Sequence, residues 1–248
     1  MTYCVAMRLE EGLVFVSDSR TNAGIDQIAV FRKLHLFGVE GERVIVLQSS
    51  GNLATSQSVI TLLRQRIQTN EGSHLHNVSN MYEAATLVGQ TLRDVLKKYK
   101  EQDLDFSCSL LLGGQVLGEE PKLFNIYPQG NFIAATQDTP YFQIGESKYG
   151  KPILDRALSY FSPIDKALRC ALISFDSTIR SNLSVGIPLD LMVYIKDSFK
   201  LPKGRRLYDD DPYFHMIRTQ WSEGLKQVLG ELPSFVIKMN SPLCHPIK

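Results

Sequence analysis

The chain opens on a short, roughly alternating run, Thr2-Tyr3-Cys4-Val5-Ala6-Met7-Arg8-Leu9, which predicts a strand. Glu10-Glu11-Gly12 makes a turn, and Leu13-Val14-Phe15-Val16 starts a second strand that ends in Ser17-Asp18-Ser19-Arg20. Pairing as a hairpin brings the polar end of the second strand beside the start of the first. Past the turn-rich stretch Thr21 to Asp26, the run Phe31 to Phe37 alternates again, so Arg32 or Lys33 starts a third strand near Asp18. Arg43 to Gln48 predicts a fourth strand. The period then changes. Ala54, Val59, Leu62, Leu63 and Ile67 fit one face of a helix, with Ser50 or Asn52 as its N-cap. After the polar loop from Asn70 to Asn80, the residues Ala84, Leu87, Val88, Thr91, Leu92, Val95, Leu96 and Tyr99 recur at helical spacing.

Strand character returns in Phe106 to Gly114, in Lys122 to Tyr127 and, across the turn Pro128 to Asn131, in Phe132 to Thr136. Two helices are expected over 148–161 and 163–182, split by Ser162-Pro163, and a strand over Ile187 to Ile195. A helix over 211–231 carries Trp221, and a last strand is expected from Phe235 to Met239. Strands and helices come in blocks, which argues for an α+β fold with antiparallel pairing rather than alternating βαβ units. Two sheets face to face, with a helix pair outside each, would bury all of these apolar faces. No repeat, low-complexity tract or linker divides the chain, so residues 1–248 read as one domain with a C-terminal helix and strand extension from about 200.

Composition narrows the function classes. Apolar residues make up 44% of the 248, enough for a substantial core. The formal charge is +1, from 27 basic and 26 acidic residues, and gives no reason to expect nucleic acid or a membrane surface. No apolar run approaches the roughly 20 residues of a bilayer span, and the N-terminus lacks a signal-peptide pattern. Cys4, Cys108, Cys170 and Cys244 form no CxxC pair, so neither a zinc site nor a disulfide framework is indicated. The expectation is a soluble cytoplasmic protein with reduced thiols and no metal or other cofactor. His74-Leu75-His76 reads as a pair of solvated loop histidines, and Asp209-Asp210-Asp211 as negative charge complementing the dipole of the helix that follows.

Three groups could meet at one end of the first sheet: Thr2, Asp18 and Lys33. A threonine hydroxyl needs a base, and with Met1 removed the α-amine of Thr2 itself, with an ordinary pKa near 8, can be that base. A nearby lysine favours the neutral amine by charge repulsion, and an aspartate would hold the lysine in place. Gly51, at the start of the first helix, could offer an N–H to a developing oxyanion.

In these residues the chain resembles the proteasome β-subunits: Thr2, Asp18-Ser19-Arg20, Lys33, and Ser49-Ser50-Gly51 before the helix. The stretches MTYCVAMRLEEGLVFVSDSRTNAG, FRKLH, IGESKYGKPILDR and FDSTIRSNLSVGIPLDL are more closely similar to the bacterial Anbu (ancestral β-subunit) group. The resemblance implies the four-layer αββα sandwich of the N-terminal-nucleophile hydrolases, homo-oligomers in rings or open rings, and a threonine-type peptidase mechanism. It implies Thr2 as nucleophile and base, Asp18 and Lys33 as the supporting pair, Arg20 as a buttress and Gly51 as the oxyanion donor. Where proteasome subunits carry a Gly-Ser-Gly-Ser loop, this chain reads Gly145-Glu146-Ser147-Lys148, so Glu146 or Ser147 takes that place. The family's Asp-x-x-Ser pair aligns with Ser181-Asn182-Leu183-Ser184, which keeps Ser184 and lacks the aspartate; Asp176 could replace it only with a differently arranged helix end. Activation is expected to need only removal of Met1. Two other readings compete with a peptidase in a ring: an amidase acting on a small amide or isopeptide, and an assembly protein with a weak or vestigial site. Nothing in the sequence resembles an ATPase motif, so any unfoldase would be a separate chain.

Overall fold

Residues 2–22, 28–70, 72–98 and 105–235 are described by a computed structural model of the chain. In order they form β1 (Tyr3–Leu9), β2 (Gly12–Asp18), β3 (Arg20–Asn22), β4 (Ile28–Val30), β5 (Leu34–Val39), β6 (Arg43–Gly51), α1 (Leu53–Thr69) and α2 (Met81–Lys97). There follow β7 (Cys108–Val116), β8 (Lys122–Ile126), β9 (Phe132–Ala134), β10 (Tyr141–Gly145), α3 (Lys151–Ala157), α4 (Ile164–Ser181), β11 (Leu189–Ile195), β12 (Arg205–Leu207) and α5 (Pro212–Glu231). One antiparallel sheet runs β10-β1-β2-β11-β12, a second runs β5-β6-β7-β8-β9, and β3 with β4 makes a small ribbon.

The two-residue period of the strands sorts side chains into three apolar layers. On β1, Tyr3, Val5, Met7 and Leu9 pack with residues of α3, α4 and α5, while Cys4 and Ala6 meet the other sheet. On β6, Ile45 and Leu47 pack under α1 and α2, and Val44 and Val46 face the first sheet. Both faces of the central strands are therefore covered, and the αββα sandwich expected from the sequence is the fold. Caps fix the helix starts. Asn52 accepts from the Thr55 N–H at 3.1 Å to begin α1, and Asn80 accepts from Glu83 N–H at 2.8 Å to begin α2. Asp211, from the acidic run, caps α5 by accepting from Phe214 N–H at 2.9 Å and also pairs with Arg205 at 2.8 Å.

Four expectations need correction. The third strand starts at Leu34, not at Arg32 or earlier; Phe31 to Lys33 is irregular, because Phe31 N–H is drawn to Ser19 O at 2.9 Å and Lys33 turns inward to Asp18. The helix expected over 148–161 is only Lys151–Ala157 and ends at Leu158 in extended backbone. His74 is not solvated: it is buried, its Nε2 lies 2.8 Å from Asn70 Oδ1, and its Nδ1 accepts from His76 N–H at 3.2 Å. Together with Leu75, wholly buried in the core under α1 and α2, it pins the interhelical loop. Strands β3, β4, β10 and β12 were not expected at all. The last expected strand, after Phe235, lies outside the described residues.

On β5, His35 is mostly buried, and burial together with Arg64 and Arg32 pushes its pKa down to about 4. The folded chain therefore binds this proton more weakly than the unfolded chain, whose histidine titrates near 6.5. Stability from this residue is complete above about pH 6.5 and is lost as pH falls towards 4, by about 3 kcal/mol at most. Urea unfolding at pH 7 and pH 4.5 should show a steeper acid loss for wild type than for His35→Gln.

Candidate active site

The hairpin of β1 and β2 places Thr2 beside the end of β2, because Cys4 pairs with Ser17 and the next residue of β2 is Asp18. Asp18 is wholly buried and accepts the Tyr3 N–H at 3.1 Å. From the irregular segment before β5, the Lys33 ammonium donates to Asp18 Oδ1 at 2.7 Å and to the Arg20 carbonyl at 2.6 Å. Lys33 is 4% exposed, so its charge has left bulk water and must be held by these acceptors. Burial raises the Asp18 carboxyl above its ordinary range, and the Lys33 ammonium with the Tyr3 and Gly186 N–H groups pulls it back. Arg20 anchors the neighbouring loop by donating from Nη1 to Leu183 O at 3.0 Å.

In front of this pair opens a cavity of about 470 Å³ lined by Thr2, Lys33, Ser49, Ser50, Gly51 and Gly145, with Thr21, Asn52, Leu53 and Ser56 completing the wall. Gly51 ends β6 with φ +109°, two residues before α1, so the helix N-terminus lies next to the cavity. Opposite it, β10 pairs with β1, and Gly145 sits across from Tyr3 with φ +84°. A Cβ at Gly145 would lie 1.9 Å from the Thr2 carbonyl oxygen. Gly145→Ala is expected to cost roughly 3 kcal/mol in chemical denaturation, from the left-handed backbone and the overlap together. It should displace Thr2 and so remove any hydrolytic activity as well.

Glu146 is buried and clamps Thr2 by donating its N–H to Thr2 O at 2.7 Å. Its carboxylate accepts from Asn182 Nδ2 at 2.9 Å, which ties the loop after β10 to the loop after α4. The structure thus brings together Thr2, Asp18, Lys33, Gly51, Arg20 and Glu146. It does not bring Ser147 or Ser184 to the cavity wall; Ser184 N–H closes a turn onto Asn182 Oδ1 at 2.9 Å. Asp176 is committed elsewhere, accepting from Arg180 at 3.0 Å and from Arg218 of α5 at 2.7 Å. Sequence reasoning missed Ser56 and Thr21 as lining residues. It also missed the Tyr3 N–H to Asp18, a contact that only pairing of β1 with β2 creates. Behind the site, the Cys4 thiol donates to Ser49 O at 3.6 Å, and burial raises its pKa strongly, so it is no competing nucleophile. Among the described residues no cluster of side chains could hold a metal ion, and no helix is long and apolar enough to cross a membrane.

The family described as "Proteasome subunit" matches residues 2–186. Among solved structures, the chain is similar to Anbu (ancestral beta-subunit) from Yersinia bercovieri, at 61% identity and a TM-score of 0.90 over 95% of this chain and 99% of that one. It is also similar to the chain in the helical assembly of the Anbu complex from Pseudomonas aeruginosa, at 59% identity and a TM-score of 0.92 over 96% and 100%. Anbu from Hyphomicrobium sp. strain MC1 matches at 47% identity and a TM-score of 0.89 over 95% and 100%. No curated protein matches the chain.

Proposed function

Because this chain belongs to the proteasome subunit family, and within it to the Anbu group, we propose that it is a threonine-type N-terminal-nucleophile hydrolase that cleaves peptide bonds. The observation that supports this most is the buried Lys33 ammonium, fixed by Asp18 and the Arg20 carbonyl at the wall of a cavity shared with Thr2. Burying a cation is costly even when it is paired, so its presence at this wall favours a functional reading.

In the proposed mechanism, removal of Met1 frees the Thr2 amine. The amine takes the proton of the Thr2 hydroxyl as Oγ1 attacks the substrate carbonyl. Lys33 lowers the basicity of neighbouring groups by its charge, keeping the amine neutral and favouring the developing alkoxide. The tetrahedral oxyanion receives the Gly51 N–H at the end of β6, close to the N-terminus of α1. On collapse the leaving amine takes the proton back from the α-ammonium, leaving an ester on Thr2. Water then attacks the ester, gives its proton to the α-amine, and Thr2 oxygen departs and is reprotonated. Arg20 supports Lys33 through its carbonyl, and Glu146 holds Thr2 in place through its N–H.

The Pseudomonas relative is described as a helical assembly, and self-association is proposed for this chain too. Exposed Leu225, Val228, Leu229 and Leu232 on and beside α5 suit contacts between copies. Light scattering should then give a mass of several chains. For the chemistry, an epoxyketone reacts only with a residue that offers both an amine and a hydroxyl. Peptide mapping should find one adduct, closed through both groups of Thr2. An adduct elsewhere, or none on protein that lacks Met1, would contradict the mechanism.

A further inference from the structure

A second cavity, of about 320 Å³, lies on the other side of the segment that carries Lys33, between β5, α1, β11 and β12. Its polar lining is Arg32, His35, Arg64, Asp190, Arg205 and Arg206. Two of the guanidinium groups are satisfied within the fold. Arg206 grips Asp190 with Nε and Nη2 at 2.7 Å each, and Arg205 pairs with Asp211 at 2.8 Å. Arg32 and Arg64 have no carboxylate or hydrogen-bond partner among the described residues, and the His35 ring makes no hydrogen bond there either. Among the described residues the cavity thus keeps two unpaired guanidinium groups, both exposed to solvent, and an unpartnered imidazole around a space that would hold about ten waters at ~30 Å³ each. Planar guanidinium forks match phosphate and carboxylate oxygens, often through two parallel bonds, and a concave site confines the ligand where a flat basic patch would not.

We propose that this cavity binds a small polyanion, bearing at least two phosphate or carboxylate groups, through Arg32, Arg64 and His35. The volume exceeds what a single such group needs, and the two free guanidinium groups come from different elements, the segment before β5 and helix α1. His35 gives the site an internal reporter. With the cavity empty, burial, Arg64 and Arg32 all hold the ring neutral, opposed only by Asp190. An anion seated between these groups offsets the arginines and raises the pH at which the ring protonates. Nothing in this inference depends on the hydrolytic chemistry at Thr2.

Calorimetric titration of the full chain with pyrophosphate and with citrate, at constant ionic strength, tests it. Arg32→Gln and Arg64→Gln serve as variants, since both side chains are exposed and unpaired among the described residues and their loss should leave the unfolding midpoint at pH 7 unchanged. The expected result is saturable binding of one anion per chain, weakened at least about tenfold in each variant. The His35 resonances should follow the same isotherm and titrate at higher pH when the site is filled. Tighter binding of pyrophosphate identifies a phosphate ligand, and tighter binding of citrate a carboxylate one. If neither anion saturates, or if both variants bind as wild type does, the proposal is wrong. It is equally overturned if the variants alter only the assembly size, which would assign the cavity to an acidic segment of another copy.

Discussion

Replacing Thr2 by alanine should lower hydrolysis of a fluorogenic peptide by at least about a thousandfold, because removal of a nucleophile removes the covalent route itself. Stability should change little, by no more than about 1 kcal/mol. The structural contact made at Thr2 is through its backbone: the carbonyl accepts the Glu146 N–H at 2.7 Å, and alanine keeps it. Thr2→Ser, which retains amine and hydroxyl, should keep measurable turnover. Equal rates for Thr2→Ala and wild type would remove Thr2 from the chemistry. A variant that unfolds would show the residue to be structural instead, and a urea melt separates the two cases.

The second large effect is expected at Asp18, and there it falls on both stability and activity. Asp18→Ala leaves the Lys33 ammonium buried with the Arg20 carbonyl as its one acceptor among the described residues. Stranding one partner of a buried pair costs about 3–5 kcal/mol. Replacing both charges by uncharged groups of similar size is far less costly, so Asp18→Asn, which keeps an acceptor for the Tyr3 N–H, combined with Lys33→Met should recover most of the lost stability. It should recover none of the activity. That pattern separates a pair kept for function from one kept for the fold: a double variant that stayed as unstable as Asp18→Ala would show the pair to be part of the framework.

Much of this arrangement was legible in the chain. The opening hairpin followed from alternation around Glu10-Glu11-Gly12, and it alone places Thr2 beside Asp18. Asn52, one of two candidate caps, announced the start of α1, and the stripe from Ala84 to Val95 announced α2; the acidic run before α5 was read as charge facing the helix dipole, and only the structure shows Asp211 as its cap. Reading Lys33 as a partner of Asp18 was also correct, although the local structure was not: a strand through Phe31 to Lys33 would have fixed its side-chain direction by alternation, whereas the ion pair bends the segment out of the ladder. Non-local pairing hid the rest. Tyr141–Gly145 is a short, half-polar run that becomes β10 only by adding to the edge of β1. His74 looks like a loop histidine until Asn70 and the backbone of His76 are folded around it. The cavity wall was partly invisible for the same reason, since Ser56 lies among polar neighbours on α1 and nothing in its spacing separates it from a solvent-facing serine.

The claim at the centre of this account is that Thr2 works through its own α-amine. The intact mass of the purified, untreated protein, with sequencing of its first residues, tests that most directly. The account predicts a chain short by one methionine residue, beginning Thr-Tyr-Cys-Val. A mature protein in which Met1 still blocks the Thr2 amine would contradict it.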